Sequence, residues 1–351
     1  MHFLTERLFS TLTADRRSGS SYLDLIGMEK AGQFDSIPII DMSGWFSADN
    51  RSKGLVAEKV RNACLRSGFM YLRNHGMSQK VIANATKAAE DLFSLSLNTK
   101  LSIHDDNLGY YRGYIPIDGE STDPDNSGDL KEAFDVGLQI KIDDPQYPGY
   151  KRMSAPNLWP EDLPHFRSSV EAYFEAAMGL AKTLFRLFAV SLNLNENYFD
   201  SITDMPIAQM RLIHYPPNES TVSNEKLGIG THTDYECFTL LIQDETGGLE
   251  LMNAAGKWID APPIDDAIIV NIGEMMSRWT NGLFAATPHR VRNHPSADRI
   301  SIPFFFATNY DTEIVCLESC YDDLNPPKFE PVMAGDYLEE RLNSIYGSVA
   351  I

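Results

Sequence analysis

The chain has 351 residues, 43% of them hydrophobic and 23% charged, enough apolar material for a sizeable core without disulfide or metal staples. Acidic residues outnumber basic ones 49 to 30, and a net charge of −19 repels phosphate backbones and anionic lipid, so neither a nucleic-acid nor a membrane partner is expected. No apolar run reaches the ~18 residues of a membrane helix, and four scattered cysteines without a CxxC pair predict reduced thiols in a cytoplasmic protein, with Cys64 and Cys237 in the core.

Residues 1–35 read as an N-terminal extension, because Glu6, Asp15, Asp24 and Glu29 are foreign to a transit peptide. The run SIPIIDMSGWF (Ser36–Phe46) predicts a first strand. Leu55, Val56, Val60, Cys64 and Leu65 recur at helical spacing and predict a helix that ends at Ser67-Gly68, before the strand FMYLRN and the turn HGM. Ser78 is the N-cap candidate of a second helix, SQKVIANATKAAEDLFSL. From Asp105 to Asp129 the chain is rich in Gly, Asp, Pro and Tyr, and an aperiodic segment of that length predicts a functional loop or lid. The longest helix is expected over about Leu163 to Leu192. Beyond Pro206, short β-rich segments separated by TGG, NAAG and NGL predict a β core of sandwich or barrel type, closed by a helix over about Ala334 to Ile345. A helix-rich part, 36–205, thus supports a catalytic β core, 206–351, without requiring two independent domains.

GIGTHTDYECFTLLIQD places His232 and Asp234 two apart in a strand-like stretch, so strand alternation points both side chains one way. His289, in ATPHRV, is the best third donor, on a strand that hairpins bring back alongside. Two imidazoles and a carboxylate on one face of an octahedron leave positions open for dioxygen and a chelating co-substrate, the arrangement of non-haem Fe(II) oxygenases. Alone, the three residues do not separate a metal site from ordinary surface or hydrogen-bonding histidines. Arg299 and Ser301 share a face by the same period of two, on a strand expected beside that of His289. Within SIPFFFA an arginine needs an anion, either a structural Asp or Glu or a bound dicarboxylate. Tyr215 in RLIHYPP could give that carboxylate a phenolic hydrogen bond. Arg211 falls on the same face, as a substrate contact or as a salt-bridging arginine, and His214 on the other.

Together these residues resemble the isopenicillin N synthase-like branch of the Fe(II)/2-oxoglutarate-dependent oxygenases. The resemblance runs from about Ile37 to Leu342 through IPIIDMS, ACLRSGFMYLRNHGM, KEAFDVG, NLWP, HYPP, GTHTDYECFTLLIQDETGGLEL, VNIGEMMSRWTNG, HRV and RISIPFFF, in family order. It implies a distorted double-stranded β-helix, jelly-roll-like, mainly β with flanking helices. It implies Fe(II) on His232, Asp234 and His289, and 2-oxoglutarate anchored through its distal carboxylate by Arg299, Ser301 and Tyr215. The implied reaction uses O2 and decarboxylates 2-oxoglutarate to succinate and CO2 while hydroxylating, desaturating or cyclising a small molecule, with ascorbate as a candidate reductant. The sequence departs from the family where an Asn before Tyr215 is replaced by Ile213-His214, where Glu274 follows Gly273 in place of Asp, and where Pro288 precedes His289.

Arg211, Arg112, Tyr110, Phe304 and Phe306 are the substrate-facing candidates, each equally compatible with packing or solvent. Tyr235, opposite His232 and Asp234 by alternation, is set aside. A monomer or small homo-oligomer is expected. The competing readings are an oxidase of isopenicillin N synthase type that uses no 2-oxoglutarate, a catalytically silent metal- or ligand-binding protein on the same fold, and a zinc hydrolase.

Overall fold

The computed structural model describes residues 32–104, 111–122, 128–139, 153, 155–218 and 226–346. Most of the N-terminal extension and part of the 105–129 loop, Tyr110 included, lie outside them. The first half of the chain forms β1 (Ile39–Asp41), α1 (Asn50–Arg66), β2 (Phe69–Arg73), α2 (Gln79–Phe93), α3 (Leu97–Leu101), β3 (Gly113–Ile115), β4 (Glu132–Gly137) and α4 (Phe166–Ser191). The second half forms β5 (Pro206–Tyr215), β6 (Ile229–His232), β7 (Phe238–Gln243), β8 (Leu249–Met252), β9 (Trp258–Asp260) and β10 (Ala267–Ile272). There follow α5 (Glu274–Trp279), β11 (His289–Val291), β12 (Arg299–Asn309), β13 (Glu313–Ile314), β14 (Val332–Met333) and α6 (Ala334–Tyr346).

Local chemistry explains the helix limits. Asp49 caps α1 by accepting from the amides of Arg51 and Ser52 at 3.2 and 3.0 Å. Gly68, at φ +62°, ends it by donating to Ala63 O at 3.0 Å; a Cβ there would lie 2.0 Å from Ala285 O, so only glycine fits. Ser78 stands at the N-cap of α2, but its side chain makes no cap hydrogen bond. In α4, Phe166, Val170, Tyr173, Phe174, Ala177, Leu180, Ala181, Leu184 and Phe188 recur at helical spacing and are buried. No helix among the described residues is long and apolar enough to cross a membrane. All four cysteines are free thiols, and Cys64 and Cys237 are fully buried as expected.

Eight strands form the major sheet in the order β1-β2-β10-β7-β12-β5-β4-β3, and four form the minor sheet in the order β6-β11-β8-β9. Strands of the helix-rich half thus belong to the major sheet. One face of that sheet packs on the helices, where Phe174 of α4 meets Phe304 edge-on at 5.1 Å and Phe185 meets Phe238 and Phe306 at 5.1 and 5.6 Å. Its other face packs on the minor sheet, with Phe69, Ile213, Tyr215 and Ile269 against Ile229, Leu249, Leu251 and Val291. The two-sheet core is the expected double-stranded β-helix.

Strand β12 divides its side chains between these environments: Ile300, Ile302, Phe304 and Phe306 join the helix-side core, while Arg299, Ser301, Pro303 and Phe305 face the space between the sheets. Its ladder to β5 has no partner pairs at Ile302 and Pro303, where proline has no N–H to offer. The ring positions therefore correct the expectation for Phe304 and Phe306. Both are buried against helix aromatics, and Phe305 faces inward. Counting by twos from Arg299 yields the same assignment.

Candidate active site

His232 closes β6 and His289 opens β11, and the two are direct cross-strand partners in the minor sheet, with ring centroids 4.3 Å apart. Asp234 Oδ1 lies 3.6 Å from Nε2 of each. One donor atom from each of the three lies within 4.8 Å of the others. His232 and Asp234 converge for a reason other than strand alternation, because β6 ends at His232. Asp234 sits in the following turn, which lays its carbonyls on the start of α5. Glu274 N donates to Asp234 O at 2.8 Å, Met275 N to Tyr235 O at 3.2 Å and Gly273 N to Cys237 O at 3.0 Å. Helix-start amides have no partner within the helix, so they fix this loop. Strand alternation therefore does not govern Tyr235 either, and its side chain borders the cavity.

Each donor is oriented from behind. His232 Nδ1 faces Gly230 O at 2.9 Å and His289 Nδ1 faces Thr287 O at 3.1 Å, so each Nδ1–H donates to a carbonyl and leaves the Nε2 lone pair toward the centre. Asp234 Oδ2 accepts from Asn271 Nδ2 at 2.6 Å and from the Thr239 hydroxyl, leaving Oδ1 for the centre. Burial pushes the Asp234 carboxyl up, but the two imidazoles and these two hydrogen bonds outweigh it and hold the group below its ordinary value. Burial, reinforced by His232, pushes the His289 imidazole down to about 4. A carboxylate and a neutral imidazole in these protonation states are ready metal donors. The three nitrogen and oxygen donors on one side of an otherwise open space fit a facially bound Fe(II).

Across the cavity lies β12, in the major sheet. Arg299 and His289 thus face each other from opposite sheets and do not sit on adjacent strands, because the sheets form two walls. Arg299 is 1% exposed, yet only its Nη2 has a hydrogen-bond partner, Gln243 Oε1 at 3.0 Å. Nε and Nη1 have none among the described residues. The guanidinium stacks on the Tyr215 ring at 4.6 Å, and Ser301 Oγ donates to the Tyr215 hydroxyl at 3.4 Å. A buried cation with two unused donors beside two hydroxyls fits an incoming carboxylate. The cavity between the walls has a volume of about 130 Å³ and opens to solvent.

The remaining sequence candidates are disposed otherwise. Arg211 borders the cavity, but its guanidinium is gripped by Asp135 at 2.6 and 2.7 Å and by Glu120 at 2.9 and 3.0 Å, so it is a salt-bridging residue. Arg112 is buried away from the triad cavity, donating to the carbonyls of Tyr111 and Met153 with its guanidinium against Gly137. His214 points to the other face, as expected, between Glu132 at 2.8 Å and Asp298 at 2.7 Å. Of the run Phe304 to Phe306, Phe305 is the ring on the cavity wall; not foreseen were Tyr235, Glu236, Gln209 and Leu342 there. Period-two counting from Arg299 and Tyr215 finds Phe305 and Gln209; nothing in the sequence points to Leu342, which reaches the cavity from α6. Glu236 is buried, and burial followed by the charge of Asp234 pushes its carboxyl up to about 8. Glu274, the family departure, binds the Thr233 hydroxyl, Tyr337 and Arg341 of α6, tying that helix to the Asp234 turn.

Two family models match this chain. Residues 37–162 match the N-terminal region of the non-haem dioxygenases named for morphine synthesis, and residues 206–308 match the 2OG-Fe(II) oxygenase superfamily. The chain is 34% identical over 316 residues to the 2-oxoglutarate-Fe(II) type oxidoreductase hxnY of Emericella nidulans, covering 88% of this chain and 90% of that one. It is 36% identical over 284 residues to the 2-oxoglutarate-dependent dioxygenase citB of Monascus ruber, covering 78% and 85%. The crystal structure of a full-length Neurospora crassa protein in complex with alpha-KG superposes with a TM-score of 0.79 at 30% identity, over 90% of this chain and 99% of that one, and the same protein has also been solved with alpha-KG and thymine. With this candidate donor triad, a buried arginine across the cavity and relatives matched over most of their length, the chain belongs to the 2OG-Fe(II) oxygenase superfamily and is a 2-oxoglutarate-dependent dioxygenase.

Proposed function

We propose that His232, Asp234 and His289 hold the Fe(II) of this dioxygenase and that Arg299, Ser301 and Tyr215 take the distal carboxylate of 2-oxoglutarate. The observation that carries this assignment is Arg299, buried across the cavity from the triad with Nε and Nη1 unpartnered among the described residues. Bound together, iron and 2-oxoglutarate supply an O2-dependent oxidation coupled to decarboxylation of the co-substrate to succinate and CO2. The chain's own residues do the rest. Gly230 O and Thr287 O fix the imidazole tautomers, and Asn271 and Thr239 aim the carboxylate. Phe69, edge-on to His289 at 5.3 Å, and Ile213, Leu241 and Leu249 keep the co-substrate end apolar, which strengthens the Arg299 contact by excluding water.

The primary substrate in this reading is a small organic molecule, the size class of the thymine bound by the Neurospora relative. The acidic composition supports a cytoplasmic enzyme without a nucleic-acid partner, and the reading takes it as a monomer or small homo-oligomer. The test is turnover by the purified chain with Fe(II), 2-oxoglutarate, ascorbate and O2 against a compound library, reading succinate and product together. Equal succinate and product, both lost in Asp234→Ala, are expected. Product without succinate would transfer the chain to the isopenicillin N synthase type, and full activity in Asp234→Ala would refute the metal assignment.

A further inference from the structure

Glu236 lies in the turn between β6 and β7, two residues past Asp234, and is 9% exposed. Glu236 lines the cavity, yet no side chain among the described residues hydrogen-bonds or pairs with its carboxyl; its own amide and that of Tyr235 face it, and Arg211 acts on it only through its charge. Its backbone is held rigidly, since Glu236 O packs against Gly273 at a distance no Cβ would allow. A buried acidic group kept without a side-chain partner costs stability, which an enzyme tolerates where a ligand completes the site.

The charges around it narrow the ligand. Lys131 pairs with Glu120 and approaches Asp129 at 4.0 Å, while Arg211 is shared by Glu120 and Asp135. Among the described residues that line the cavity at this end, both cations are therefore spent on three carboxylates, which leaves neither for an acidic substrate. Tyr235, Phe305 and Leu342 supply flat and apolar surface beside the carboxyl. We propose that Glu236 is the specificity-determining contact for the primary substrate, and that this substrate is a compact molecule presenting a nitrogen-borne hydrogen, as an amine, ammonium or amide N–H, and no carboxylate at that end. The proposal rests on the dioxygenase reading above only in taking the cavity beside the triad as the substrate's place.

Protein loaded with Fe(II) and 2-oxoglutarate, held without oxygen, is titrated calorimetrically with benzylamine, benzamide and benzoate, which share one ring and differ in the group offered to Glu236. Benzylamine and benzamide should each bind at least about tenfold more tightly than benzoate, the worth of one charge-assisted contact. Glu236→Gln should abolish the advantage of the amine over the amide, and Glu236→Leu the advantage of both over benzoate. Both variants should keep the wild-type thermal shift with 2-oxoglutarate, which shows that they are folded and anchor the co-substrate. Should the Leu variant not fold, the amine-to-amide ratio in the Gln variant decides alone. Benzoate binding as tightly as benzylamine, failure of both nitrogen probes to bind, or an unchanged ranking in the variants overturns the proposal. A wild-type protein without any 2-oxoglutarate shift would instead sink the co-substrate assignment, and the ranking measured with Fe(II) alone would still decide for or against Glu236.

Discussion

Replacing Arg299 by methionine separates a structural arginine from a ligand-binding one. The guanidinium is 1% exposed, has one hydrogen bond among the described residues, to Gln243, and stacks on Tyr215. A buried charge so poorly satisfied contributes little net stability, and an apolar side chain of similar length is expected to be neutral or stabilising there. With 2-oxoglutarate the same group gains a charge-assisted contact worth about 1.5–3 kcal/mol, so its loss weakens binding about 10- to 150-fold. At a 2-oxoglutarate concentration of about 100 Kd the wild type gains roughly 2.7 kcal/mol, whereas a variant weakened about 30-fold gains roughly 0.9 kcal/mol. The ligand-induced stabilisation thus falls by roughly 2 kcal/mol, about 4 °C in Tm for a large domain. The assay is thermal melting of Mn(II)-loaded wild type and Arg299→Met across a 2-oxoglutarate titration. A ligand-free Arg299→Met protein that melts far below wild type would make Arg299 a structural residue, and one that keeps the full 2-oxoglutarate shift would remove it from the co-substrate site.

The remaining outcomes test the walls around that site. Asn271→Leu removes the donor that aims Asp234 Oδ2, and should lower Fe(II) affinity about 10- to 100-fold in a metal titration while leaving the fold intact. Phe304→Ala opens a void against Phe174 and should cost about 3–5 kcal/mol in denaturant unfolding with co-substrate binding unchanged; Phe305→Ala should do the reverse, sparing stability and weakening substrate binding. Burial alone would depress the His214 imidazole, but Glu132 and Asp298 outweigh it and raise it. The stability this contributes is complete below about pH 6.5, the unfolded value, and is lost as pH rises through the raised folded value. Unfolding free energies measured across that range should show a decline that His214→Asn abolishes.

Much of the β core is legible because a strand's period is a property of the chain itself. RIS and HYPP point to the correct inward face, and the helix limits near Gly68 and over α4 follow from a left-handed turn and a 3.6-residue spacing. Where the period is not carried through, the reading fails. Phe304 and Phe306 look like substrate contacts only until they are counted from Arg299, with which both are out of phase. Tyr235 looks dispensable only on an alternation that has already stopped at His232, since a strand's end depends on what the chain meets next, here the free amides of α5.

The family is legible in the chain alone, because the resemblance rests on residue types at short, fixed spacings, and the candidates for donors and anchor come with it. Which charges are spent and which are left over is settled by folding. Arg211 and Arg112 look like ligand-binding arginines in one dimension. Folding closes Asp135 and Glu120 around the first, and the carbonyls of Tyr111 and Met153 around the second, while among the described residues it leaves Nε and Nη1 of Arg299 without partners. Pairing of a charge depends on groups brought together from distant positions in the chain, and neither composition nor local pattern contains that information.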